Sequence, residues 1–171
     1  SNAVITTGST VNSDSTARAL TVNASGANGS AVVNAALGNT NALASLNLTA
    51  ANISLNGGSV NTTGNQTYAG AVTLGADTAL NGNNVITTSG STVAGAGYSM
   101  NVTGNANLAG DVTNVSSVNV SGTTRLAANV STTGNQTYTG AVTLGSDVTL
   151  STNGSNAVIT TGSTVNSDST A

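Results

Sequence analysis

Seven side chains carry all the formal charge of this chain: Asp14, Arg18, Asp77, Asp111, Arg125, Asp147 and Asp168. Catalysis needs groups that titrate, coordinate or attack, brought together at one place. The sequence holds no His, Cys, Lys or Glu. A Ser or Cys triad, a zinc site of the usual ligands and a Schiff-base lysine are therefore excluded within it. Paired carboxylates are what remains, the chemistry that β-helical polysaccharide lyases and glycosidases line up along a groove. Asp77 and Asp147, however, follow Leu74-Gly75-Ala76 and Leu144-Gly145-Ser146, the same place in two copies of one segment. A carboxylate copied with its scaffold reads as a turn residue bonding its own backbone. The expectation is a chain that is not an enzyme, with no catalytic, cofactor-binding or metal-ligating residue.

Calcium takes several oxygen ligands, but the glycine-rich nonapeptide of calcium-binding β-rolls is absent and each Asp stands alone. Asn is frequent at segment ends, as at Asn23, Asn61, Asn84, Asn101 and Asn119. There it tolerates the left-handed backbone of tight corners and can hydrogen-bond in ladders along a stack. Sequons such as Asn47-Leu48-Thr49 and Asn135-Gln136-Thr137 arise by chance in so Asn- and Thr-rich a chain. An ice-binding face would need Thr in phase from turn to turn, and stretches such as Ile86-Thr87-Thr88 are out of phase.

These residues must be positioned by a repeated scaffold. Residues 1–17, SNAVITTGSTVNSDSTA, return letter for letter as 155–171, which makes residues 1–154 one long repeat and 155–171 the start of an identical one. The segment 62–80 returns at 132–150 with four small or β-branched differences, an offset of 70 residues. Offsets of 70 and 154 suit units averaging 22 residues, seven to a long repeat. Successive units begin near Val4, Ala31, Ile53, Leu74, Val85, Leu108 and Val130, and Val158 restarts the series. Each holds short alternating segments separated by Gly or Asn, such as Ala19-Leu20-Thr21-Val22-Asn23 and Leu46-Asn47-Leu48-Thr49. Alternation puts one face inward and its polar partner outward. Three such segments and three turns describe one rung of a parallel β-solenoid. Asn-Gly pairs at 28–29, 56–57, 81–82 and 153–154 leave stacked hairpins as the other arrangement, which the long periodicity disfavours. On the solenoid reading Tyr68 and Tyr138 lie on the same side of the rod, about three rungs apart and equally buried.

Composition agrees with a strand-and-turn protein. Charged residues make up 4% and hydrophobic residues 37%, the latter in clusters that argue against disorder. A net charge of −3 with two Arg leaves no basic patch for nucleic acid. No apolar run approaches the roughly 18 to 20 residues that cross a bilayer, so no membrane insertion is expected in this segment.

The segments Arg18-Ala19-Leu20-Thr21-Val22-Asn23-Ala24, Asn41 to Leu48, and Thr63-Gly64-Asn65-Gln66-Thr67-Tyr68 with its copy at 133–138 resemble the repeats of filamentous haemagglutinin-like, two-partner-secretion bacterial surface exoproteins. The resemblance covers nearly the whole chain. It implies a right-handed parallel β-helix, secreted by a Gram-negative cell, displayed outside it and acting as a stiff adhesive stalk. The repetition itself makes neighbouring identical repeats, end to end, the expected partners, and a host or bacterial cell surface or glycans are further expected partners. An ice- or ligand-binding solenoid and a polysaccharide-processing β-helix enzyme are the competing classes.

Overall fold

The computed structural model describes residues 2–24 and 26–168. The last three residues of the second copy, 169–171, lie outside that range. Among the described residues the chain is all-β, and their eighteen strands pair in parallel throughout. It is a β-solenoid of about seven turns with three faces per turn. Among the described residues no helix is long and apolar enough to cross a membrane.

The inward positions of each face can be followed by register. The first face stacks Ile5, Ala31, Ile53, Val72, Val93, Val112, Val130 and Leu150. The second stacks Val11, Leu37, Val60, Leu80, Val102, Val120, Tyr138 and Thr161. The third stacks Leu20, Leu46, Gln66, Val85, Ala106, Thr124, Val142 and Val165. Between these faces runs one apolar core; Leu37, Leu48, Leu108, Val120 and Leu126 are wholly buried in it. Burial alternates along the strands as period two requires. Four long strands, Ser45–Leu55, Gln66–Leu74, Thr78–Thr87 and Met100–Leu108, run along one face and continue round a corner onto the next.

Successive inward residues of the first face lie 26, 22, 19, 21, 19, 18 and 20 positions apart. A turn thus takes about 20 residues through most of the chain, where the sequence predicted 22. The difference displaces several predicted starts. Val4, Ala31, Ile53, Leu74 and Val130 do share the first face, but Val85 and Leu108 stand on the third and Val158 on the second.

A larger correction concerns the copies. Tyr68 is paired with Leu48 and Thr87 on the third face, Tyr138 with Val120 and Thr161 on the second. They are equally buried, at 1% and 0%, yet they are not on one side of the rod. The offset of 70 residues spans three turns and two faces rather than whole turns. What the copies share is a local motif that two different faces hold.

That motif is polar and buried. Gln66 Nε2 donates to the carbonyls of Val60 (3.1 Å) and Asn81 (2.9 Å) and to Thr62 Oγ1 (3.3 Å), while Oε1 accepts from the Tyr68 hydroxyl (2.9 Å). Gln136 repeats the set with Val130, Ser151, Thr132 and Tyr138, at 3.2, 2.7, 3.3 and 3.0 Å. Burial raises both phenol pKa values by desolvation, so each hydroxyl stays protonated as a donor. A fully satisfied network of this kind fixes a unique packing where an apolar core could slide.

From Val60 onward the chain passes from the second face to the third through glycine: Gly64, Gly82, Gly104, Gly122, Gly140 and Gly162 occupy that corner in six consecutive turns. A Cβ on any of them would press into the preceding turn, against the carbonyls of Ala44, Gly64, Gly82, Gly104, Gly122 and Thr139 respectively. The backbones approach too closely for a side chain.

Candidate functional site

The charged residues are dispersed, and two of them, Asp77 and Asp111, tie one turn to the next. Asp77 accepts from the Ser99 backbone N–H (2.8 Å) and hydroxyl (2.9 Å), one turn further on. Asp111 accepts from the Asn129 N–H (2.9 Å), and Asn129 Oδ1 in turn accepts from the Thr149 N–H (2.7 Å). Asn12 and Asn135 do the same for the N–H groups of Thr40 (2.9 Å) and Val158 (2.9 Å). Of the carboxylates, Asp14 caps its own turn through the Thr16 N–H (2.8 Å) and pairs with Arg18 (3.1 Å), both exposed. Asp77 therefore differs from the predicted self-bonding turn residue. Corner N–H groups need acceptors that a strand ladder does not supply, and the neighbouring turn is where a short carbonyl or carboxylate side chain reaches. Asp147 is exposed.

Amide ladders form at Asn34–Asn56 (2.9 Å) and Asn61–Asn81 (2.6 Å). Asn101 and Asn119 stand in register on the second face, while Asn23 lies opposite Thr49 on the third. The outward positions of the third face read Thr67, Ile86, Asn107, Arg125 and Thr143 in successive turns. No flat threonine array runs along that face.

Hydrogen bonding to Ser99, first from its backbone and then from its hydroxyl, holds Asp77 below the ordinary carboxylate range. A pKa lowered by folding adds stability that is complete above the unfolded value and is lost as pH falls through the folded one. Acidification to pH 3 should lower the unfolding midpoint of this protein. Asp77→Asn, whose side-chain oxygen still accepts from Ser99, should show a smaller drop between pH 6 and pH 3. Thermal scans at the two pH values measure it, and an equal drop in both proteins would remove Asp77 from the account.

One place on the surface gathers several polar groups. An open groove of about 340 Å³ crosses the outer side of the third face, lined by Asn84, Asn105, Asn107, Thr123, Arg125 and Asp168 among others. Arg125 Nε donates to Asp168 Oδ2 at 3.1 Å, both side chains about a third exposed. The guanidinium lies over Gly145, where a Cβ would collide with it. Asn105 Oδ1 accepts from the Thr123 N–H and hydroxyl, each at 2.9 Å. Asn84 Oδ1 and Asn107 Oδ1 are shielded from solvent and have no hydrogen-bond partner.

The groove offers amides, hydroxyls and one ion pair, a set able to hydrogen-bond hydroxyl-rich ligands. Its one carboxylate is engaged by Arg125. Among the described residues no three His, Cys, Asp or Glu side chains converge. The sequence singled out Arg125, Asp168 and Asn84 separately; nothing in their spacing links them, because they come from different turns whose lengths differ. Compared with family models, with curated proteins and with solved structures, this chain matches none of them.

Proposed function

We propose that this chain is a structural display segment of a long extracellular protein of the filamentous haemagglutinin-like kind. Stacked turns hold a distal part away from a bacterial cell, and the groove on the third face meets hydroxyl-rich glycans. The observation that carries this reading is the buried Gln–Tyr motif, which recurs with the same bonds on two different faces. A scaffold whose local units fit more than one face can be lengthened by duplication without redesign. Charged residues spent on joining turns, as Asp77 and Asp111 are, fit a mechanical role better than a catalytic one.

Purified protein incubated with neutral polysaccharides should retain them without releasing reducing ends, and Asn107→Leu should weaken retention at least several-fold. Scattering should report an elongated particle, with turns spaced by about 4.8 Å along the axis. Sugar release that disappears in Asp77→Ala, or a spherical particle, would overturn the proposal.

A further inference from the structure

The two copies of the 17-residue segment do not sit above one another. Ile5 is on the first face and its copy, Ile159, on the second; Val11 is on the second and its copy, Val165, on the third. The 154-residue repeat therefore takes seven turns and one further face. Side chains report the same shift, because Asp14 pairs with Arg18 while its copy Asp168 pairs with Arg125, 43 residues earlier. Asp168 belongs to the second copy, so the groove is closed by a residue of the repeat that follows.

From this we propose that consecutive repeats are seated one face round from each other, and that the groove completed at each junction faces three directions in turn. The occupant of the free forward edge of Val158 to Thr161 is the counterpart of Ser30–Val33, which pairs with the identical residues Val4–Thr7 in the first turn. Three repeats make twenty-two whole turns, so a surface feature returns to the same side after about 105 Å at about 4.8 Å per turn. A partner on a flat surface meets every third groove, while partners around the rod are met on all sides. The inference rests on the display reading above for its use, though not for its geometry.

Spin labels test the geometry in this chain, which has no cysteine of its own. Thr6, Ser151 and Thr160 all point outward, the first two on the first face and the third on the second. The pairs Thr6→Cys with Ser151→Cys and Thr6→Cys with Thr160→Cys are separated by nearly the same number of turns, about 34 Å along the axis. The Thr6–Thr160 distance should nonetheless be longer by several ångströms, because it also crosses the rod. Equal distances would overturn the rotation while leaving the rod intact. Both distances far below about 34 Å would instead sink the rod itself.

Discussion

Gln66→Ala and Gln136→Ala should each destabilise the protein by about 3–5 kcal/mol, and by nearly the same amount although they lie on different faces. Each glutamine is wholly buried and serves four partners from its own turn and the next. Truncation leaves the tyrosine hydroxyl without an acceptor inside the core, at about 1–3 kcal/mol, and takes the amide donor from two backbone carbonyls and from a threonine hydroxyl that still bonds Gly64 or Gly134. A cavity adds to this. Tyr68→Phe, which deprives only Gln66 Oε1 of its donor, should cost about 1–2 kcal/mol. Urea unfolding followed by hydrogen exchange at single turns separates local loss from global loss, since solenoids can open piecewise. A cost below about 1 kcal/mol for either glutamine, or a twofold difference between them, would show that the two motifs are not one physical unit.

Gly104→Ala should be among the most damaging of the single-methyl additions to this chain, at about 3 kcal/mol or more. Its φ of +121° is a conformation that side chains rarely adopt. Its new Cβ would also be driven into the Gly82 carbonyl of the turn before. Gly90→Ala provides the control, because Gly90 has φ +79° but open space around it. It should cost about 1–2 kcal/mol, the dihedral contribution alone. Thermal unfolding of the two variants decides the matter. If they lose equal stability, close backbone approach at the corner contributes nothing.

Much of the architecture was legible because strand and corner chemistry is local. Alternation at Leu46-Asn47-Leu48 and Val118-Asn119-Val120 marks inward residues that are buried at 2% or less. Phase was not legible, because it accumulates through corners whose lengths vary. The first turn carries the extra residues around Asn12 to Arg18 and so takes 26, while the turn from Val112 to Val130 takes 18. A frame of 22 matches Ala31 and Ile53, but the starts at Leu74 and Val85, only 11 residues apart, cannot both head turns of about 20. Varying corner length also hid the groove, since which outward residues meet across turns is decided by the sum of all earlier corner lengths. Gln66 and Gln136 did carry a visible mark, their shared Thr-Thr-Gly-Asn-Gln-Thr-Tyr context, but polarity alone gave no sign of burial.

The corner column from Gly64 to Gly162 bears on how such a chain acquires its shape. Its carbonyls form a surface into which only a bare backbone can be laid, so a finished turn acts as the template for its successor. Growth then resembles the advance of a crystal face, with each new corner admitted only in the register its predecessor sets. An error at one corner would be inherited by every turn added after it, which makes the earliest completed turn the one whose accuracy governs the rest of the solenoid.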